Sequence, residues 1–189
     1  MPNQAEWNQR YQAQDTFPSA CYVLTQYQYL LPKQGKVLDV ACGLGANALL
    51  LAQHGLETHA WDYADNALQK LQQQALQKQL TLHTACRDIE VNPPEALSFD
   101  VIVVSRFLER SLFPSLIAAL RPQGLLFYQT FTQAKVSDAG PKRSAFRLKD
   151  NELLHLCSKL HIMVYQELGI LGDVQQGLRD EACLVGLKV

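Results

Sequence analysis

The stretch from Val37 to Gly55, VLDVACGLGANALLLAQHG, decides the fold of this 189-residue chain. It opens with apolar residues typical of a short strand, turns through small residues, and continues as an apolar helix. Gly55 stands where such a helix would end. Backbone without Cβ atoms approaches a ligand closely, and a helix start offers unpaired N–H groups. The stretch therefore predicts the nucleotide-binding opening of an α/β domain.

Two classes of ligand use such a turn. Gly43, Gly45 and Ala48 fit the G-x-G-x-x-A pattern of dinucleotide-binding proteins. Asp39, four residues before Gly43, argues against that class, because a carboxylate aimed at a pyrophosphate repels it. The same carboxylate attracts the cationic amino-acid end of S-adenosylmethionine (SAM), directly or through water. The sequence therefore favours SAM, and a dinucleotide oxidoreductase remains the alternative.

The motif D-V-A-C-G-L-G, residues 39–45, resembles motif I of the class I SAM-dependent methyltransferases, usually written D-x-G-x-G-x-G. Ala41 replaces the first glycine and is small enough to keep the turn. The strings G-A-N-A-L-L-L-A and S-R-F-L-E-R-S-L-F-P are similar to small methyltransferases of the tellurite-resistance group. The resemblance implies an α/β, three-layer Rossmann-like sandwich, with a mostly parallel seven-stranded sheet and a C-terminal antiparallel hairpin. It also implies SAM as cofactor and S-adenosylhomocysteine (SAH) as product.

The candidate cofactor-binding residues follow predicted strands. Asp62 ends the second strand (56–61), where a carboxylate accepts hydrogen bonds from ribose hydroxyls; a helix N-cap is the alternative. The resemblance implies that Tyr63 lies against the adenine and that Asp88 accepts from the adenine amine, with Ile89 as its apolar neighbour, unless Asp88 belongs to a surface turn. Ser105 ends an apolar strand (99–105) expected beside the first strand, at the ligand-binding crevice. The full set is Asp39, Ala41, Cys42, Gly43, Gly45, Asn47, Asp62, Tyr63, Asp88, Ile89 and Ser105.

Residues 1–35 precede the first strand and are unusually aromatic. One interpretation is a helix over 19–31 packed on the sheet edge. The other is a lid over cofactor and acceptor, with E-W-x-x-R-Y (6–11) turned inward, and the resembling methyltransferases often carry W-x-x-R-Y here. Trp7, Arg10 and Tyr11 are therefore candidate acceptor-binding residues, together with Arg106 after the fourth strand, for which an ion pair with Asp62 or Asp88 is the alternative. We expect one domain, with a helical lid over 1–35 and a SAM-binding core over 36–189.

The remaining pattern predicts helices over 47–53, 66–79, 112–120 and 150–160, and strands over 80–86, 125–131, 161–167 and 182–189. The loop 132–147 and the residues just after it carry a basic cluster of Lys142, Arg143, Arg147 and Lys149. It is either a solvated surface or an attractor for an anionic substrate.

Composition narrows the function further. A formal net charge of −1 gives no general attraction to nucleic acid or anionic membranes. The five cysteines are scattered without a C-x-x-C pair, which argues against zinc or a disulfide framework and fits a reducing cytoplasm. The five histidines do not cluster in the sequence, so no metal site is predicted. The polar start and the lack of a long apolar run predict a soluble cytoplasmic protein.

These observations predict SAM-dependent methyl transfer to a small molecule by in-line displacement. The chain lacks the N-P-P-Y or D-P-P-Y tetrapeptide of amino-group methyltransferases and has no Pro-Cys dipeptide. A soft nucleophile such as a thiolate or selenide needs no general base, and no catalytic residue is assigned, because the sequence shows no Asp–His or Lys arrangement that indicates a base for an oxygen or nitrogen nucleophile. Methylation of RNA or protein, and SAM binding without catalysis, remain the alternatives. The sequence identifies neither the acceptor atom nor the oligomeric state.

Overall fold

Seven strands form one sheet in the order β3-β2-β1-β4-β5-β7-β6. A computed structural model describes residues 3–189, so Met1 and Pro2, the start of the predicted lid segment, lie outside the described residues. The strands are β1 Lys36–Val40, β2 Glu57–Asp62, β3 His83–Cys86, β4 Phe99–Ser105, β5 Leu120–Phe131, β6 His161–Gln166 and β7 Glu181–Leu187. The helices are α1 Gln4–Gln12, α2 Tyr22–Tyr27, α3 Ala46–Gln53, α4 Asp65–Gln77, α5 Phe113–Ala119 and α6 Glu152–Leu156.

The first five strands are parallel, and β7 pairs antiparallel with both β5 and β6. The predicted mostly parallel sheet with an antiparallel C-terminal pair is confirmed. The strand β4, FDVIVVS, is apolar on both faces because helices cover both sides of the sheet. Helices α5 and α6 pack on one face, and α2 and α3 pack on the other.

Several predicted element boundaries were wrong. The helix expected over 19–31 is only α2, followed by a 3-10 turn at Gln28–Leu30. The third strand begins at His83 rather than at residue 80, because the amide of Leu80 still donates to the carbonyl of Ala75 and closes the end of α4. The helix expected over 150–160 is confined to α6, and the fifth strand begins at Leu120 rather than at residue 125.

The N-terminal segment is attached to the core by side-chain hydrogen bonds. Helix α1 begins with a capping box between Asn3 and Glu6, so Glu6 belongs to the helix start rather than to a site. The backbone and side-chain nitrogens of Asn66 on α4 donate to Asn8 at 3.0 and 3.1 Å. Helix α1 therefore packs on α4, beside the loop that follows β2. No helix among residues 3–189 is both long and apolar enough to cross a membrane.

The loop 132–147 is held by a buried arginine. The Arg147 guanidinium donates to the carbonyl oxygens of Thr132 at 2.9 Å and Pro141 at 2.7 Å, and to that of Ala139. Its side chain forms no ion pair with a carboxylate among residues 3–189. The Asp180 carboxylate holds the same loop through the amides of Val136 and Ser137. The predicted basic cluster is therefore split, because Arg147 is buried while the other three residues are exposed.

We expect Arg147→Ala to loosen this loop, because each hydrogen bond from a buried charged group contributes about 1.5–3 kcal/mol. Limited trypsin digestion should then cleave after Lys142 or Arg143 at least about tenfold faster than in the unaltered protein, since cleavage follows the population of the open loop. The matched control is Lys149→Ala, which removes an exposed basic residue near the loop. Equal cleavage rates in the two variants would contradict a clamping role for Arg147.

Candidate functional site

The turn between β1 and α3 has left-handed backbone at three positions. Ala41, Gly43 and Gly45 have φ angles of 50°, 52° and 74°. A residue with a Cβ costs about 1–2 kcal/mol in this region, which explains why glycine is usual at the position that Ala41 fills. The turn directs the chain from the end of β1 into α3 and brings its own amides close together.

A fully buried carboxylate lies below this turn. The Oδ2 of Asp39 accepts from the backbone N of Ala48 at 3.1 Å, and its Oδ1 accepts from Nδ2 of Asn47 at 3.3 Å. The Asn47 amide also donates to Oγ of Ser105 at 3.0 Å, which joins the carboxyl ends of β1 and β4. Burial raises the pKa of Asp39 to about 7, against the opposing effect of these two hydrogen bonds. Three predicted site residues thus form one connected group.

A second buried carboxylate ends β2. The Oδ2 of Asp62 accepts from the backbone N of Gly43 at 2.7 Å, and Oδ1 accepts from that of Ala64 at 2.8 Å. Burial raises the pKa of Asp62, while its backbone hydrogen bonds oppose that rise. Between them, Asp39 and Asp62 occupy the Ala48 and Gly43 amides, which lie where a helix start and a glycine turn would otherwise bind phosphate.

An aromatic pair from α1 covers the turn. The hydroxyl of Tyr11 lies 2.8 Å from the place where a Cβ on Gly43 would stand. Trp7 stacks on Tyr11 with ring centroids 5.7 Å apart, and both pack against the cluster of Leu44, Ala64 and Ala67. Burial, reinforced by Asp62, raises the pKa of Tyr11 well above its ordinary value, so the phenol stays protonated. Arg10 is exposed and lies over the outer ring of the pair, 4.9 Å from the Trp7 centroid.

The residues predicted to bind adenine lie in the loops that follow β2 and β3. Tyr63 is 38% exposed beside the turn, and Ile89 is buried in the core. Asp88 is half-buried, and its Oδ1 accepts from the backbone N of Glu90 at 3.0 Å. Its carbonyl accepts from the amide of Asn92, so Asp88 also shapes a local turn.

A polar network at the ends of β4, β5 and β7 contains the predicted residue Arg106, but its partners Glu181 and Gln129 were missed by sequence reasoning, and Arg106 pairs with Glu181 rather than with Asp62 or Asp88. The Nε of Arg106 donates to Oε1 of Glu181 at 2.9 Å, and the Glu181 carboxylate also accepts from Nε2 of Gln129. The Gln129 oxygen accepts from the backbone N of Val23 at 2.8 Å, which ties α2 to the sheet. Arg106 has a left-handed φ of 55°. The available signal was polar residues interrupting otherwise apolar strands, as in LLFYQTF.

Strand order and crevice geometry together define a class of protein. A sheet in the order β3-β2-β1-β4-β5-β7-β6, with an antiparallel β7 and a glycine turn after β1, is the fold of the class I SAM-dependent methyltransferases. The family described as tellurite resistance protein TehB matches residues 7–178, and the chain belongs to this family.

Individual relatives agree with this assignment. The chain is 31% identical over 137 residues to the Haemophilus influenzae protein named "Probable S-adenosyl-L-methionine-dependent methyltransferase TehB". The aligned region covers 70% of this chain and 48% of that protein. It is 31% identical over 111 residues to a ubiquinone biosynthesis O-methyltransferase of Coxiella burnetii, covering 56% of this chain and 47% of that protein. The chain therefore spans about half the length of these curated relatives.

A solved structure supports the fold. The crystal structure of TehB from Haemophilus influenzae superposes with a TM-score of 0.72 at 24% identity, covering 98% of this chain and 67% of that one. At this identity the likeness establishes the arrangement of helices and strands, whereas family membership follows from the sequence match.

The family implies SAM as cofactor, and the donor set at the crevice fits it. The buried carboxylates of Asp39 and Asp62 and the half-buried side chains of Asp88 and Ser105 suit a ligand with an ammonium, a sulfonium and ribose hydroxyls. They do not suit a diphosphate. The Tyr11 ring lies in the space above Gly43, so a ligand that contacts Gly43 must pack beside this ring or displace it.

Proposed function

We propose that this chain transfers the methyl group of SAM to a small-molecule acceptor by in-line displacement. The observation that carries the proposal is the bonding of the Ala48 and Gly43 amides to Asp39 and Asp62. A pyrophosphate bound here would face two buried carboxylates and would find these donors already used. A cationic ligand gains from the same carboxylates, which favours SAM over a dinucleotide.

Each predicted cofactor residue has a place in this proposal. Asp39 attracts the ammonium end of the ligand, directly or through water, and Asp62 accepts from the ribose hydroxyls. Tyr63 lies against the adenine, with Asp88 and Ile89 at its edge. The turn and the adjoining crevice are formed by Ala41, Cys42, Gly43, Gly45, Asn47 and Ser105.

The chain itself mainly aligns the reactants and excludes water. When bound, SAM supplies a methyl group on a sulfonium that is already activated for displacement. Trp7 and Tyr11 cover the turn, so we propose that residues 1–35 act as a lid over the 36–189 core. Burial raises the pKa of the Cys42 thiol well above its ordinary value, which keeps this nearby sulfur protonated and a poor competitor for the methyl group.

We propose that the acceptor carries an anionic group that contacts Arg106. The Arg106 side chain is 56% exposed, whereas its partner Glu181 is 6% exposed. The ion pair uses Nε, and among the described residues the terminal nitrogens of Arg106 make no hydrogen bond. Two N–H-bearing nitrogens therefore remain available beside Ser105, in the geometry that binds a carboxylate or oxyanion in a bidentate way.

The division of the basic cluster supports the proposal of a small acceptor. A protein that docks on RNA uses a continuous basic face. In this chain Arg147 is buried and occupied by carbonyls, which divides the predicted basic cluster. A small acceptor is therefore the better proposal, and methylation of RNA or protein is the alternative outcome of an acceptor screen.

The first test is calorimetric titration of the purified protein with SAH, with NADH as control. We expect SAH to bind and NADH not to bind. The second test incubates the protein with methyl-labelled SAM and a panel of thiols, carboxylates and oxyanions of selenium and tellurium. Label transfer to a small acceptor that is lost in Arg106→Ala supports the proposal. Binding of NADH alone would overturn the cofactor assignment, and SAH binding with transfer only to RNA or protein would overturn the acceptor assignment.

We expect SAH to bind about tenfold more tightly at pH 8 than at pH 6. Since the pKa of Asp39 is raised to about 7, the ligand-free protein carries a proton there at pH 6, and the ligand's ammonium favours its release. Because the pKa of Asp39 is higher in the folded chain than in the unfolded chain, its contribution to the stability of the ligand-free protein falls as pH rises from about 4 to about 7. Above about pH 7 this contribution is constant.

Titrations at pH 6, 7 and 8 in buffers of different ionisation enthalpy measure both the affinity and the proton release. The control is Asp39→Asn, which cannot ionise and should bind with a flatter pH dependence, to which only other groups such as Asp62 contribute. An unchanged slope in Asp39→Asn would show that Asp39 is not the titrating group.

A further inference from the structure

Three potential metal ligands meet on the outer part of the sheet, away from the glycine turn. Glu57 and His59 are two residues apart on β2, so their side chains share one face. His83 on β3 is the direct cross-strand partner of His59. One ligand atom from each of the three residues lies within 4.8 Å of the other two. These histidines are far apart in the sequence and meet only because β3 pairs with β2 in this register.

Contacts among the side chains of the cluster, and with the core, order two of its members. The Nε2 of His59 lies 3.1 Å from Oε1 of Glu57, and the two imidazole rings stack with centroids 4.8 Å apart. The buried Phe99 ring packs edge-to-face with His59, with ring centroids 5.7 Å apart. Glu57 and His83 are exposed, so an ion can reach the cluster from solvent.

We propose that Glu57, His59 and His83 bind a divalent transition-metal ion. Two imidazoles and one carboxylate suit cations of the Zn²⁺, Ni²⁺ or Co²⁺ type, with water completing the coordination. Ligand atoms around a tetrahedral ion with bonds of about 2.0–2.2 Å are about 3.4 Å apart. The present spacing closes to that value when the exposed Glu57 and His83 side chains turn inward.

The charges around the cluster set the conditions for binding. A metal ion must replace the hydrogen bond between Nε2 of His59 and Oε1 of Glu57, because it requires a lone pair on the imidazole and an ionised carboxylate. Lys36 opposes binding, because its Nζ lies 4.0 Å from Oε1 of Glu57, but this ammonium is on a flexible stem and can move away.

The location separates this site from the proposed methyl transfer. Glu57 begins β2 and Asp62 ends it, so the two lie about 16 Å apart along a strand that rises about 3.3 Å per residue. A bound ion would join β2 to the edge strand β3. We therefore expect it to raise the unfolding temperature without being needed for SAH binding.

Co²⁺ is the probe that tests the site, because its visible spectrum reports the ligands. We expect one Co²⁺ per chain, no comparable binding of Mg²⁺, and a rise in unfolding temperature on Co²⁺ addition. His83→Gln should weaken Co²⁺ binding by at least about tenfold. The matched control is His161→Gln, which removes an exposed histidine at the start of β6.

A second arm excludes the nearby thiol. Cys86 is exposed at the end of β3, and Co²⁺ bound by it would show a sulfur-to-metal charge-transfer band. Cys86→Ser should leave binding unchanged. The proposal is overturned if Co²⁺ does not bind, if His83→Gln binds as tightly as His161→Gln, or if binding is lost in Cys86→Ser. SAH titrations of His83→Gln should match the unaltered protein.

Discussion

Asp62→Asn should weaken SAH binding by about 100-fold. The buried carboxylate accepts hydrogen bonds from the Gly43 and Ala64 amides, and each bond to a charged group contributes about 1.5–3 kcal/mol. An amide side chain keeps one acceptor oxygen but turns an NH₂ group toward one of these two N–H donors. The turn loses a fixed contact, and the ribose loses its proposed carboxylate acceptor. A loss of about 2.8 kcal/mol corresponds to the expected factor.

Calorimetry with SAH measures the effect, and thermal unfolding checks that the variant is folded. The matched control is Asp65→Asn, an exposed aspartate in the first turn of α4 that should change SAH affinity by less than about twofold. A ligand without the ribose hydroxyls separates the two roles of Asp62. The unaltered protein should bind this ligand more weakly than it binds SAH. That affinity should be no lower than the affinity of Asp62→Asn for SAH. SAH affinity within about threefold of the unaltered protein in folded Asp62→Asn would remove the assignment.

Gly45→Ala should destabilise the protein by about 2–5 kcal/mol. Gly45 has a φ of 74°, so any residue with a Cβ is strained there by about 1–2 kcal/mol. A Cβ at this position would also overlap the terminal methyl groups of Leu71, which is fully buried on α4. Overpacking of a buried site costs about 1–3 kcal/mol more. In a domain of this size the sum lowers the unfolding temperature by about 4–20 °C.

Gly55→Ala separates the two contributions. Gly55 has a similar φ of 78°, but no atom lies within 4 Å of a Cβ added there. Chemical denaturation should show a loss of only about 1–2 kcal/mol for Gly55→Ala. Gly45→Ala combined with Leu71→Val should recover part of the packing term. Equal losses in Gly45→Ala and Gly55→Ala would show that Leu71 moves away at no cost.

The parts of the fold that could be predicted are those determined by local patterns of neighbouring residues. The strand, turn and helix around Gly43 follow from a local apolar pattern, and β4 follows from its unbroken apolar run. Element ends were less predictable. Leu80 reads as part of a strand in the sequence, but its amide is used to finish α4, and no local pattern reveals that hydrogen bond.

The network of the candidate site could be predicted only in part, because much of it joins distant residues. The bond between Val23 and Gln129 spans 106 residues, and the pair of Arg106 and Glu181 spans 75. The stacking of His59 on His83 depends on strand register, which single-sequence patterns do not define. The burial of Arg147 was unpredictable for a different reason, since its partners are carbonyls of its own loop, and no side-chain pattern in the sequence reveals how that loop folds.

The position of Tyr11 over Gly43 makes helix α1 a competitor for the space above the turn. A ligand that needs this space binds only the molecules in which the ring has moved, so its apparent affinity scales with that open population. Contacts that stabilise the closed arrangement, such as those between Asn8 and Asn66, reduce this population without touching the ligand. Two proteins with identical glycine turns can therefore differ in cofactor affinity solely through the packing of α1 on α4.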